Sequence, residues 1–249
     1  MGVIIPQVIT NRSGAQIIDG SLKFDHSIED HLAKTPGSAG NRRTFTVSTW
    51  VKVGGEDRTQ VIFFAGPDGD DTYPLVWHAT SDSFQVSHYQ GGFTYRLVPN
   101  AVHRDTGWYH VVSAHDTTQA TSSNRIKLYI NGEQVTSFST ESYPSQNYEN
   151  SINESGVIHK IGFQHTGNAF ELNGSLSQFY FIDGQQLGPE YFGFTDPLTN
   201  TWKPKKYVNT TASHGDAAGV VGFGTNGFYL PFDGSAPIGQ DQSGQGNNW

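Results

Sequence analysis

Three aspartates stand close together in GPDGDD (66–71): Asp68, Asp70 and Asp71 place hard carboxylate oxygens in a glycine-containing turn, the donor type that calcium takes. Asp241, beside Ser243 in the DQSGQG turn, is a second candidate. Asp-Gly turns also select aspartate for backbone geometry alone, so each site has a purely structural reading beside the metal one. A different chemistry, sugar binding, needs an aromatic plate for the apolar face of the ring and a few fixed polar groups for its hydroxyls. Trp77, His78, Tyr89 and Tyr95 fall on strands or loops near the acidic turn, and Tyr143 and Tyr148 lie in a long polar loop; these six are the candidate glycan contacts. Trp50, Trp108 and most phenylalanines are assigned to the core, which a sandwich of this size must fill with bulky side chains.

Bond-breaking chemistry has less to stand on. The adjacent acids Glu29-Asp30 and Glu56-Asp57 would point to opposite faces of a strand, and they sit in polar, loop-like sequence. The 10 histidines show no HxH or HExxH spacing, and His110 and His115, an odd number of residues apart, would face opposite ways on one strand. With no cysteine, neither a thiolate metal site nor a disulfide can form, and no G-x-S-x-G nucleophile elbow is present. The chain is therefore read as not an enzyme, with no cofactor required and calcium as the candidate metal.

The elements that must position these residues are strands. Gly (29) and aromatics (16 Phe, 11 Tyr, 5 Trp) are plentiful against 15% charged residues, the balance of many short strands joined by glycine-containing turns. A length of 249 residues suits one large β-sandwich or two smaller domains. The formal charge of −8 offers no basic field for phosphates, and Lys203, Lys205 and Lys206 make only a short cluster, which argues against nucleic acid as a partner. The N-terminal MGVIIPQVITNR lacks a basic leader, and Pro6 and Gln7 break its apolar run, so neither a signal peptide nor membrane insertion is expected.

The clearest element is IKLYINGEQV (126–135). Ile126, Leu128 and Ile130 alternate with Lys127, Tyr129 and Asn131, and Asn131-Gly132 suits the positive φ angles of a type I′ turn, so the segment is a β-hairpin. Phe45, Val47, Val51 and Val53 share one face of a long strand and Trp50 takes the other. Further strands are expected at 61–65, 75–79, 83–89, 93–98, 108–114, 157–163 and 175–182. Residues 139–156 read as a long loop, and 189–194 as one helical turn or two. The stretch 196–224 is rich in Pro, Lys, Thr and Gly and reads as a linker. FYLPFDGS near the end echoes GSLKFDHS near the start.

In their order, SLKFD (21–25), FTVSTWVK (45–52), GWYHVV (107–112), IKLYINGEQV (126–135), IGF (161–163) and NGSLSQFYFIDGQQL (173–187) resemble the laminin-G-like, concanavalin A-like lectin/glucanase family. The resemblance implies an all-β fold, an antiparallel β-sandwich of jelly-roll type over 21–192; residues 1–20, where Gly, Pro and polar residues interrupt the aliphatics, read as an N-terminal arm, and 193–249 as a linker and C-terminal extension that is strand-like again from 226. It also implies that calcium and glycan binding are the activities to look for. Enzymes of the family carry carboxylates in a pattern like E-x-D-x-x-E, which this chain lacks, so a glycoside hydrolase or lyase is the least favoured reading. GFTDPLTNTWKPKKY (193–207) and GTNGFYLPFDGS…DQSGQGNNW (224–249) resemble segments of large marine-phage and cyanophage virion proteins. That resemblance implies a virion surface component, a tail or head fibre that binds host-surface polysaccharide, with other virion proteins as partners and a homotrimer if it is a fibre. The alternative is a capsid decoration or connector subunit without glycan binding.

Overall fold

A computed structural model of the chain describes residues 18, 20–55, 58–67, 72–78, 80–104, 107–164, 170–207 and 222–249. The expected arm therefore lies outside the described residues except for Ile18 and Gly20, as do Glu56-Asp57 and the acidic turn of Asp68, Asp70 and Asp71.

Alternation decides which side chains meet. In β3 (Thr44–Val53), Phe45, Val47, Val51 and Val53 enter the main core, while Trp50 sits on the opposite face. In β8 (Tyr109–Asp116), Tyr109 and Val111 join the same core and Val112 belongs to a second apolar cluster on the outer face. The two histidines of β8 part as expected: His115 stacks on Phe45 inside, at 4.3 Å, and His110 on Trp50 outside, at 5.1 Å.

The early strands are β1 (Leu22–Phe24), β2 (Leu32–Lys34), β4 (Gln60–Ala65), β5 (Tyr73–His78), β6 (Ser83–Tyr89) and β7 (Phe93–Pro99). Next come β9 (Ile126–Ile130), β10 (Glu133–Gln134), β11 (Phe138–Ser142), β12 (His159–Ile161) and β13 (Gly174–Asp183). The chain ends with β14 (Gly193–Asp196), β15 (Thr201–Pro204) and β16 (Phe228–Leu230). One sheet of 7 strands runs β1-β13-β3-β8-β9-β10, with β16 also on β13; the other, again of 7, runs β11-β7-β6-β5-β4-β12-β2. Their pairings are antiparallel, and the sheets enclose a core that includes Phe63, Leu75, Trp77, Leu97, Val111, Leu128 and Phe181. This is the antiparallel β-sandwich that the alternation leads one to expect. Asn131 and Gly132 have φ of 50° and 85°, the left-handed values that a type I′ turn between β9 and β10 requires.

Two expectations change. Residues 138–142 form edge strand β11 on β7, where the sequence reads as loop, because a strand at a sheet edge with polar side chains shows no apolar alternation. The described part of the stretch that reads as linker carries β15, which pairs with β14 as a two-stranded ribbon, and the strand-like reading near the end of the chain corresponds to β16. β16 pairs with β13 beside β1, so that both strands of the L-x-F-D-x-S echo occupy one edge of the same neighbour: Leu22 opposes Leu176 and Leu230 opposes Phe179. The two copies also turn alike, since Asp25 accepts the backbone N–H and hydroxyl of Ser27 and Asp233 accepts those of Ser235. Phe228 stacks on Phe179 in the core, and Trp249 packs edge-on against Phe228 at 4.8 Å.

The outer face of the first sheet is covered by the same C-terminal residues. Tyr229 lies flat on Tyr180 at 4.3 Å, and Leu187, Phe192, Tyr207 and Phe223 close over Val112 and Ile182. At the open end of the sandwich, buried Asp183 accepts N–H groups from Asn41 (2.7 Å), the Asn153 side chain (2.9 Å) and Asn226 (3.0 Å), joining three distant segments.

Three histidines are enclosed as neutral rings. Burial pushes His110 and His115 down to about 3 and His159 to about 4 from an ordinary value of 6.5. For His159 the hydrogen bonds fix the tautomer: Nδ1–H donates to the Val157 carbonyl and Nε2 accepts from the Asn153 N–H. An unfolded chain binds these three protons below about pH 6.5 and the folded chain does not, so stability is full above that pH and declines as pH falls toward the folded values. The expected decline is about 1.4 kcal/mol per pH unit for each histidine. Denaturant midpoints measured from pH 7 to pH 4 check this, and a flat profile across that range contradicts enclosed neutral imidazoles.

Candidate functional site

Three of the five tryptophans meet at the rim where the chain passes from one sheet to the other. Trp50 comes from the outer face of β3, Trp108 from the residue before β8, and Trp202 from the β14–β15 ribbon. The rest of the wall is Ile130 at the end of β9, Asn131 of the hairpin turn, residues 133–137 crossing between β9 and β11, Ala101 and His103 after β7, and Asn200 and Thr201 of the ribbon. Together they line a cleft of about 700 Å³, within the size range of small-molecule sites.

His110 organises the floor. Its ring lies between Trp50 at 5.1 Å and Trp202 at 6.0 Å, with interplanar angles of 27° and 26°. The Trp202 indole can only donate, so its Nε1–H at 3.0 Å makes His110 Nδ1 an acceptor and leaves the proton on Nε2, which donates to Ser48 Oγ at 2.9 Å. The neutral ring that burial enforces is the one this relay needs. Asn131 is tied to the same residue twice: its N–H donates to the His110 carbonyl, and its side-chain oxygen accepts the His110 N–H, both at 2.8 Å. Trp202 is seated between two glycines, since a Cβ on Gly132 or on Gly193 would overlap its ring.

The exposed surface is a mixture of ring faces and neutral polar groups. Trp108 is 39% exposed, and around it stand the amides of Asn131, Gln134 and Asn200 and the hydroxyls of Thr136, Ser137 and Thr201. Among the described lining residues Glu133 is the one carboxylate, and none is lysine or arginine.

The six aromatic and imidazole candidates from the sequence do not form one plate. Trp77 and Tyr95 are corrections: both are completely buried, Trp77 donating Nε1–H to the His103 carbonyl at 3.1 Å and Tyr95 its hydroxyl to Asn150. Neither has a ring face to offer a ligand. Tyr148 packs on the core with its hydroxyl at 3.1 Å from His88 Nδ1, and Tyr143 packs nearby, donating to Glu141 at 2.9 Å. His78 and Tyr89 remain partly accessible on the second sheet. His78 pairs with Ser83 at one end of β6 and Tyr89 closes the other end, so they stand roughly 20 Å apart at a strand's rise per residue. Around them Arg96 lies over the Phe93 ring at 4.5 Å and reaches Gln85, while Tyr89 meets Phe93 edge-on.

Asp241 does not fit a calcium ion. Its Oδ1 accepts the N–H groups of Tyr229 and Ser243, and its Oδ2 accepts the Ser243 hydroxyl and the Asn247 N–H, all within 2.9 Å. A carboxylate so occupied by donors has no lone pair left for a cation; it is the third D-x-S turn of the chain. Among the described residues no group of three His, Cys, Asp or Glu side chains is placed to hold a metal.

Trp108 and Trp202 escaped the sequence reading for different reasons. Trp108 adjoins a strand and looks like core; Trp202 lies in a stretch without apolar period, where a lone large aromatic was the only signal. The substitution Gly132→Ala tests how the cleft is built. It must adopt a φ of +85° and displace the Trp202 ring, so it is expected to cost at least ~2 kcal/mol in denaturant unfolding and to shift the Trp202 indole resonance. An unchanged indole signal would separate Trp202 from the hairpin.

Among curated proteins no sequence matches this chain. Its fold is similar to that of a putative carbohydrate binding protein from Bacteroides ovatus, with TM-score 0.56 and 16% identity, over 92% of this chain and 56% of that one. It is also similar to domain 4 of an extracellular GH43 arabinanase from Geobacillus stearothermophilus, in complex with arabinotriose, with TM-score 0.53 and 15% identity, over 68% of this chain and 75% of that one. The family model described as the concanavalin A-like lectin/glucanases superfamily, of laminin G type, matches residues 27–184, the greater part of the sandwich. The chain belongs to that superfamily.

Proposed function

We propose that this chain is a non-catalytic glycan-binding module, displayed on a virion surface, that takes sugar in the cleft of Trp50, Trp108 and Trp202. The observation that carries the reading is an exposed indole set among neutral amides and hydroxyls, the combination that stacking on a pyranose or furanose face and pairing with its hydroxyls demands. Glu133 stands alone as a carboxylate in the described lining, whereas glycoside hydrolysis by the usual route sets two carboxyl groups across the scissile bond. The placing on a tail or capsid, with other virion proteins as anchoring partners and host-surface polysaccharide as the target, rests on the resemblance of 193–207 and 224–249 to phage virion segments. A connector or decoration subunit would spend its C-terminal strand on a neighbour. In this chain β16 pairs within its own sandwich, which supports the binding module.

The test is a glycan array with the whole chain, followed by titration of the best ligand with and without EDTA. Binding is expected, unchanged by removal of calcium, and Trp108→Ala should weaken it about tenfold or more, with the unfolding midpoint as control. Turnover of any polysaccharide would contradict the non-catalytic reading, and failure to bind any glycan would contradict the whole proposal.

A further inference from the structure

A second opening adjoins the first. Ile18, Gly20, Ser21 and Ser177 form, again with Trp50 and Trp108, a cleft of about 330 Å³. The two tryptophans thus line both clefts. Trp108 is the more exposed of the pair, while Trp50 lies beneath the junction, nearly buried, with an Nε1–H that has no hydrogen-bond partner.

We propose that the two clefts act as one groove, which holds an internal stretch of an uncharged, unbranched glycan chain across Trp108. The inference rests on the glycan-binding reading above and specifies its ligand. Recognition of a chain end needs a wall that closes around the terminal sugar; here a second cleft adjoins the first at the tryptophans they share. The ring between them is placed to stack on the sugar in the middle. Exposed hydroxyl and amide groups occur along both halves: Asn131, Gln134 and Asn200 in the larger, Ser21 in the smaller. The preference for uncharged chains follows from the lining. Among its described residues Glu133 is the one charged carboxylate and no cation balances a uronate or sulfate, on a chain whose formal charge is −8.

The experiment is calorimetric titration of the whole chain with xylo-, arabino- and cello-oligosaccharides from disaccharide to octasaccharide, with oligogalacturonides as the anionic counterpart. Affinity should climb about tenfold or more between the short and long members of the neutral series that binds, and oligogalacturonides should bind more weakly than neutral chains of equal length. Ser21→Tyr fills the smaller cleft from an exposed position, and it should bring the long-to-short affinity ratio close to one. A ratio that Ser21→Tyr leaves at its wild-type value, or tighter binding of the oligogalacturonides, would overturn the groove while leaving Trp108-dependent binding intact. Length-independent binding that Trp108→Ala abolishes would do the same. Absence of binding to every probe, by contrast, would remove the glycan-binding reading itself.

Discussion

Both faces of the first sheet are apolar, and only one of them can be buried by the second sheet. Tyr180, Ile182 and Val112 point away from the sandwich, into the cluster formed with Leu187, Phe192, Tyr207, Phe223 and Tyr229. Left in water, such a face would cost about 25 cal/mol for each Å² of apolar surface, so a covering layer is a condition of the fold. The chain after residue 184 supplies it. The layer reaches the hairpin turn through Trp202, which donates to His110 and fits against Gly132. Where the layer stops, Trp50 and Trp108 are left at its margin, and the cleft is the gap between the cover and the rim of the sandwich.

The buried polar groups explain why the cover sits in one register. Gln178, at a bulge with φ of 52°, turns its amide outward to accept the hydroxyls of Tyr180 and Tyr229, while its own N–H donates to the Pro231 carbonyl. Asp183 binds three segments by their N–H groups, and Asp241 folds the last residues around its carboxylate. Each is a buried acceptor with at least one donor from a distant segment: Tyr229 for Gln178 and Asp241, and Asn41, Asn153 and Asn226 for Asp183. Displacing the cover would strand those acceptors, at roughly 1–3 kcal/mol apiece and more for the charged ones.

Alternation made much of this legible from residues alone. The opposite facing of Trp50 to Phe45 and Val47, the parting of His110 from His115, and the Asn131-Gly132 turn each follow from a period of two or from one dipeptide. Trp77 and Tyr95 mark where attention to chemistry overrode pattern: Trp77 shares a face with Tyr73 and Leu75, and Tyr95 with Leu97, which already places both inside. The covering layer was not legible, because residues that lie across a sheet keep neither the strand nor the helix period, and so 196–224 reads as linker. The cleft was hidden for a related reason. Its walls come from separate segments, at residue 50, at 101, 103 and 108, at 130–137 and at 200–202, and no spacing along the chain joins them.

The claim that sugar meets this rim, and not the second sheet or the core, is tested most directly by the indole resonances of the chain labelled with nitrogen-15. Five tryptophans give five indole probes. As a neutral oligosaccharide is titrated, progressive shifts are expected for Trp108, Trp50 and Trp202, while Trp77, buried in the core, and Trp249, packed against it, stay in place. Saturable binding that leaves Trp108 and Trp202 unmoved, with the changes falling on backbone signals of Tyr89, Phe93 and Arg96, would contradict it.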